Sequence, residues 1–326
     1  MNEQQLGEAF RDLVAEQPFT PDGSAIENRA RQARRRDRIV RGGIGAGVVA
    51  VAAVGAVGIA SAFPSAPAGK AQASGAHRVS TPTSVKPAAS TDAKPPLMTL
   101  AADVAAEPRS TGNATLVERD TTLQGQAGIT VWDLYTDDGR YFFSRTKAGL
   151  PAQVKEDNTQ GGGMFKREVD AAAYALTGNL KTAALKMAWP QASPVPANLL
   201  AEAKTMAAGS EFVNFVWEDC QDALVVGSGD PEVRAGVLRL VSVLPSIAIT
   251  HGTVDGEPTL TLTAGSAEVG GAGGAGGPTY QEAITINAQT GIPLKFTGGP
   301  AGGPADTTVT WKLTRVNLAD VAAGKL

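Results

Sequence analysis

The sequence predicts an α+β chain in four parts: a basic helical tail (residues 1–42), one transmembrane helix (43–63), a linker (64–96) and an outer domain (97–326). In the outer domain helices pack on an antiparallel sheet of meander or half-barrel type. Three observations carry this. Gly43–Phe63 runs without a charged side chain; a helix of that length spans ~30 Å, the hydrocarbon thickness of a bilayer. Residues 64–96 hold six Pro, five Ser and eight Ala and no aromatic residue, so they have nothing to bury. The rest of the chain switches between helical and period-two apolar patterns, the signature of helices and half-buried strands.

The apolar run owes its hydropathy to Ile44, Val48, Val49, Val51, Val54, Val57, Ile59 and Phe63; its other residues are Gly, Ala or Ser. Its flanks are asymmetric. Arg29, Arg31, Arg34, Arg35, Arg36, Arg38 and Arg41 lie upstream, whereas the first cation downstream is Lys70. Positive charge stays on the cytoplasmic side, which places the N-terminus in the cytoplasm and the outer domain beyond the plasma membrane. Ala60-Ser61-Ala62 has the small-x-small form of a signal-peptidase site. The long preceding tail and an apolar run beyond ~15 residues favour an uncleaved anchor. Gly43 and Gly47 form a GxxxG pair that can pack helices closely.

In the tail, Leu6, Phe10, Leu13 and Val14 make one apolar stripe. Pro18 and Pro21 end it, and Ser24 with Glu27 has capping-box spacing for a second helix through the arginines. Such a face can dock on a partner such as a sigma factor or lie on the membrane; otherwise the tail only sets topology. As a coil the linker spans ~30 Å, and ~100 Å if extended as polyproline II.

Composition excludes some function classes. The chain carries 29 Lys+Arg and 32 Asp+Glu, net −3, and the basic block beside the span fits anionic lipid headgroups better than nucleic acid. Cys220 is the only cysteine, so no intramolecular disulfide and no Cys-based zinc cluster can form; a buried thiol is expected. No GxSxG, HExxH or Walker loop occurs. His77 lies in the linker, and His251 is the sole histidine of the outer domain. No catalytic, cofactor-binding or metal-ligating residue is expected, and the chain is not expected to be an enzyme.

Within the outer domain, Asn113–Glu118 and Ile129–Thr136 read as strands, the second with Ile129, Val131 and Tyr135 on one face and Trp132 and Leu134 on the other. Asp138-Gly139 predicts a hairpin turn returning through Gly139–Thr146, with Asp137 and Arg140 placed to pair across it. Residues 166–188 predict one helix with Val169, Ala173, Leu176 and Leu180 inward. Helices at about 197–208 and 210–226 follow the break at Pro190, Pro194 and Pro196; the latter joins Phe212, Phe215, Val216 and Cys220. On it Glu218, Asp219 and Asp222 read as a solvated acidic face.

Asp230-Pro231 is a helix start, a cap followed by Pro in the first turn. The helix presents Val233, Val237, Leu240, Val241 and Leu244 to a sheet and stops before Pro245. Short strands Ile247–His251, Thr259–Thr263, Ala283–Asn287, Ile292–Phe296 and Thr307–Asn317, separated by turns such as Gln289-Thr290-Gly291, predict an antiparallel meander. Gly270–Gly277 is expected as a loop and not a phosphate cradle, because no strand–loop–helix frames it.

The runs ALVVGSGDPEVRAGVLRLVSVLPSIAITHG, GEPTLTLTAG, AITINAQTGIPLKF and VTWKLTRVNLADVAAGK resemble a family of uncharacterised actinobacterial single-pass membrane proteins. Their genes often lie next to those of extracytoplasmic-function sigma factors. The resemblance is close over about residues 210–326 and elsewhere rests on the tail–anchor–linker plan. It implies an envelope protein with a regulatory role and brings no catalytic residue with it. The tail lacks the His/Cys motif of zinc-type anti-sigma factors. The element order is also similar to that of lipoprotein-carrier half-barrels, which hold acyl chains. The expected function is therefore an envelope membrane protein whose outer domain binds a ligand or protein and whose residues 1–41 contact a sigma factor. The alternatives are a lipid or lipoprotein carrier and a structural envelope component.

Overall fold

The computed structural model describes residues 96–190, 194–265, 269 and 280–326. The expected tail, span, linker to residue 95 and Gly270–Gly277 loop lie outside them. Among the described residues no helix is long and apolar enough to cross a membrane.

The elements are α1 (Pro96–Ala105), β1 (Ala114–Leu123), β2 (Ile129–Thr136), β3 (Tyr141–Ser144), a 3-10 turn (Lys147–Gly149), α2 (Leu150–Lys155), α3 (Gly163–Thr177), α4 (Leu180–Ala188), α5 (Ala197–Thr205), α6 (Glu211–Val226) and α7 (Pro231–Ser242). Then come β4 (Ala248–Val254), β5 (Glu257–Ala264), β6 (Tyr280–Asn287), β7 (Pro293–Pro300), β8 (Thr307–Val316) and α8 (Leu318–Ala322). The protein is α+β. Among the described residues eight strands form one sheet in the order β3-β2-β1-β8-β7-β6-β5-β4, every pairing antiparallel. The meander β4 to β8 is as expected. Joining it to the first hairpin is the pairing of β1 with β8 over ten positions, from Ala114↔Val316 to Leu123↔Thr307.

Two cores flank the sheet. The larger packs α1, α3, α4, α6 and α7 on Leu260, Leu262 and Ala264 of β5 and Ile284 and Ile286 of β6. Phe212, Val216, Trp217, Cys220 and Leu224 of α6 lie within it. Burying each such apolar side chain is worth ~1.5–3 kcal/mol. The smaller core lies on the opposite face of β1–β3, where Ala114, Leu116, Leu134 and Phe142 meet Leu150 and Val154 of α2 and Val321 of α8. The alternation of β2 serves both: Leu134 enters the small core, and its neighbour Asp133 turns to the helices. A one-residue slip would exchange them.

Several expectations need correction. Pro96 opens α1, whose Leu97, Leu100, Ala101 and Val104 are buried, so the linker ends one residue earlier. β1 runs on to Leu123 because β8 pairs along its length. β3 stops at Ser144, whose hydroxyl bonds Thr146 O at 2.7 Å and leads into the 3-10 turn. The single helix expected over 166–188 is two, interrupted at Gly178-Asn179, where the Asn179 side chain caps α4. The fully buried stripe of α3 is Glu168, Ala171, Ala172 and Ala175, while Val169, Ala173 and Leu176 are only half-buried beside it. Alanine fits there because α7 crosses close by. The helix expected to reach residue 208 ends at Thr205, where Met206 takes a left-handed conformation. The Asp230 cap and Pro231 stand as expected, with Asp230 accepting from Glu232 N–H.

Candidate functional site

Three clusters of chemistry-bearing groups arise from the packing. The first lies between β1–β3 and the helices. Arg119 donates from Nε to Asp133 Oδ2 at 2.8 Å, and Tyr141 donates its hydroxyl to Asp133 Oδ1 at 2.8 Å. Asp133 is 1% exposed, so it needs both partners. Tyr135 stacks on Tyr141 at 4.9 Å between centroids, and Phe165 of α3 meets both rings edge-on at 5.2 and 5.6 Å. Burial pulls the Arg119 pKa down, but the charge and hydrogen bond of Asp133 override it and leave it raised. Burial, then the Asp133 charge, pushes both tyrosines above their usual range. General acid–base work needs a pKa near the working pH, and Arg119, Tyr135 and Tyr141 are driven away from it. The cluster is suited to holding α3 on the first hairpin.

The second cluster joins Glu168 of α3 to Asp219 and Asp222 of α6, with carboxylate oxygens within 4.8 Å of one another. From the sequence, Asp219 and Asp222 were expected on a solvated face with Glu218. The packing of α3 on α6 turns them half inward and brings in Glu168, which is fully buried. Glu218 instead accepts from Asn214 Nδ2 at 3.2 Å. Oxygen donors of this kind suit a hard cation, and three are fewer than such an ion takes. Beside them the Cys220 thiol is 1% exposed. Burial, followed by the charges of Asp219 and Glu168, pushes its pKa up. It is the inert, buried cysteine the sequence implied.

The third cluster is a clasp at the β1–β8 end of the sheet. Arg315 bonds Asp137 with both terminal nitrogens at 2.9 and 2.8 Å, Thr115 Oγ1 at 3.1 Å and Gly112 O at 2.8 Å. Asp137 was expected to pair with Arg140. Arg140 in fact holds Asp138, at 2.9 Å, and Asp157 at 3.2 Å, because β8 brings Arg315 alongside the turn. Next to the clasp an open cleft of about 460 Å³ is lined by Thr111, Gly112, Val316, Asn317, Asp320 and Lys325. Among the described residues the two lining cations each face a carboxylate, Arg315 bidentate on Asp137 and exposed Lys325 at 3.4 Å from Asp320.

The two edges of the sheet differ. On β3 the segment after α2 covers the start of the edge at Tyr141: Gln160 N–H donates to Tyr141 O at 2.7 Å and Tyr141 N–H to Gly161 O at 3.0 Å. On β4, among the described residues, nothing pairs beyond the ladder with β5. Every residue from Thr250 to Pro258 is exposed, and β4, Ala-Ile-Thr-His-Gly-Thr-Val, holds no Asp, Glu, Lys, Arg or Pro. Edge strands are ordinarily guarded by such residues or by a bulge. The sequence predicts a strand only over Ile247–His251; the observed β4 runs on through Gly252 to Val254, and its place at the edge depends on the strand order. His251 lies on this edge opposite Leu260, and its side chain takes part in no hydrogen bond or ion pair among the described residues. Comparison of the chain with family models, with curated proteins and with solved structures returned no match.

Proposed function

We propose that the chain is a single-pass protein of the cell envelope, anchored by residues 43–63, whose outer domain binds a protein partner along the β4 edge. The observation that carries this reading is the contrast between the β3 edge, covered at Tyr141, and the uncharged, exposed edge at β4. An extended segment added to an open edge gains main-chain hydrogen bonds along its length. The arginines before the span support a cytoplasmic N-terminus, and the apolar stripe Leu6, Phe10, Leu13, Val14 supports a contact of residues 1–41 with a sigma factor.

Photo-crosslinking from a probe at Thr253 in living cells tests the binding edge. Protein adducts at Thr253, and none from a probe at the sheet-face residue Thr285, are expected. Equal labelling at the two sites, or none at Thr253, removes the reading. Reporter fusions test the anchor: a periplasm-active reporter must work at residue 326 and fail at residue 30. Failure of a residue 1–41 peptide to bind the adjacent-gene sigma factor at micromolar concentration removes the regulatory part.

A second reading, a carrier of acyl chains, draws on the antiparallel meander with helices on one face, the half-barrel plan. Against it, Phe212, Trp217, Leu260, Leu262, Ile284 and Ile286 fill the space between β5–β6 and the helices. Lipid extracted from the purified protein and identified by mass spectrometry would favour the carrier.

A further inference from the structure

Resting on the reading of β4 as a binding edge, we infer that its partner is β4 of a second copy of this chain, paired antiparallel about a two-fold axis at His251. The strand is its own complement in that register. Antiparallel pairing centred on residue 251 sets Ala248 opposite Val254, Ile249 opposite Thr253, and Thr250 opposite Gly252, with the two His251 facing each other. Within the strand no Asp, Glu, Lys or Arg meets its like, because none is present. The nearest one, Asp255, falls opposite Ile247. Like charges directly opposite would oppose such a pair, and β-branched residues favour it.

Geometry allows the approach. Seven residues at ~3.4 Å each give an edge of roughly 24 Å. The hairpin from Thr250 to Pro258 is exposed throughout; within the paired stretch only Ile249 packs against the helical core. The tight Asp255-Gly256 turn, with φ of 51° and 86°, joins β4 to β5 in register from Val254↔Glu257. Ninety-five residues precede Pro96. On the anchored reading, two copies in one membrane are confined within the reach of their linkers, roughly 30 Å each as coils. That confinement raises their effective concentration toward one another.

The register can be read by disulfide trapping in the full-length chain reconstituted in lipid nanodiscs or detergent. His251→Cys places two thiols at the axis, where facing Cβ atoms lie ~4.5–5.5 Å apart, and should trap a covalent dimer under mild oxidation. Ala248→Cys alone places its two thiols roughly 20 Å apart by the strand rise and should not. Mixing Ala248→Cys with Val254→Cys should trap the mixed dimer. Native Cys220, buried, should stay unmodified in each variant, which verifies the fold. A charge swap supplies an independent arm: His251→Lys and His251→Asp should each be monomeric by mass photometry, and their mixture should associate.

Trapping from Ala248→Cys as readily as from His251→Cys, or from neither, overturns the inference. So does a dimer that survives His251→Lys, because contact through Gly43 and Gly47 would then account for it. If Thr253 crosslinks in cells only to a different protein, the edge still binds and the partner assigned here is wrong. If Thr253 crosslinks to nothing, the binding edge itself fails.

Discussion

Gly236 of α7 lies so close to Ala172 of α3 that a Cβ built on it would stand 1.8 Å from the Ala172 carbonyl oxygen. The neighbour is backbone, so it cannot rotate away. This contact explains the alanine stripe of α3, since larger residues at Ala171, Ala172 and Ala175 would hold the helices apart. Gly236→Ala is expected to lower stability by at least the ~1–3 kcal/mol usual for overpacking. A thermal melt followed by circular dichroism measures it, and Ala172→Gly should give no rescue because the obstructing atom is a main-chain oxygen.

The Arg119–Asp133 pair makes a prediction about pairwise removal. Asp133→Leu leaves a largely buried guanidinium without its carboxylate, an expected loss of ~3–5 kcal/mol. Replacing both, as Arg119→Met with Asp133→Leu, should cost less than the single change. Denaturant titrations of the singles and the double close the cycle.

Alkaline pH should unfold the protein through its tyrosines. Tyr135 and Tyr141 have folded pKa values raised above 10.0 by burial and then by the Asp133 charge. In the unfolded chain they ionise near pH 10, while the folded chain keeps their protons. The native state then binds more protons than the unfolded state, and stability falls as pH rises. Stability should hold level below about pH 9 and drop above pH 10, with tyrosinate absorbance appearing together with loss of structure. Tyr135→Phe should lessen the drop.

Arg234 is 3% exposed on α7 and gathers three segments. It donates to Thr290 O at 2.8 Å in the β6–β7 turn, to Ser228 O and to Glu107. Arg234→Met should leave these acceptors unpaired at ~1–3 kcal/mol for each one still buried. Faster hydrogen exchange confined to the turn around Thr290 and the segment after α1 would verify the role.

Cys220 should resist alkylation in the native protein and react fully in denaturant. Its 1% exposure and raised pKa both withhold the thiolate. Labelling at native pH that matches the unfolded rate would show that α6 is not seated as described.

Local patterns carried far along this chain. Ile129–Thr136 is the strand its alternation predicts, the Asp138-Gly139 turn has Gly139 at φ 91°, and the Asp230 cap opens α7. These are readable because each rests on neighbours a few residues apart. α1 was missed because its apolar spacing is carried by only four residues beside a Pro/Ala-rich run. The partner of Asp137 was missed because Arg315 is distant in sequence, and nothing in the turn specifies β8. The same holds for Glu168, whose meeting with Asp219 and Asp222 is a product of helix packing.

By itself the sequence determined the α+β class, the Asp138-Gly139 turn, the Asp230 cap, the buried thiol and the uncharged character of Ala248–Val254, since propensity and periodicity act over a few residues. Tertiary structure alone decided that β1 pairs with β8, that Arg119 meets the buried Asp133, and that β4 lies at an open edge while β3 is covered at Tyr141. Strand order depends on which surfaces bury the most apolar area together, a property of the whole chain that no local window contains.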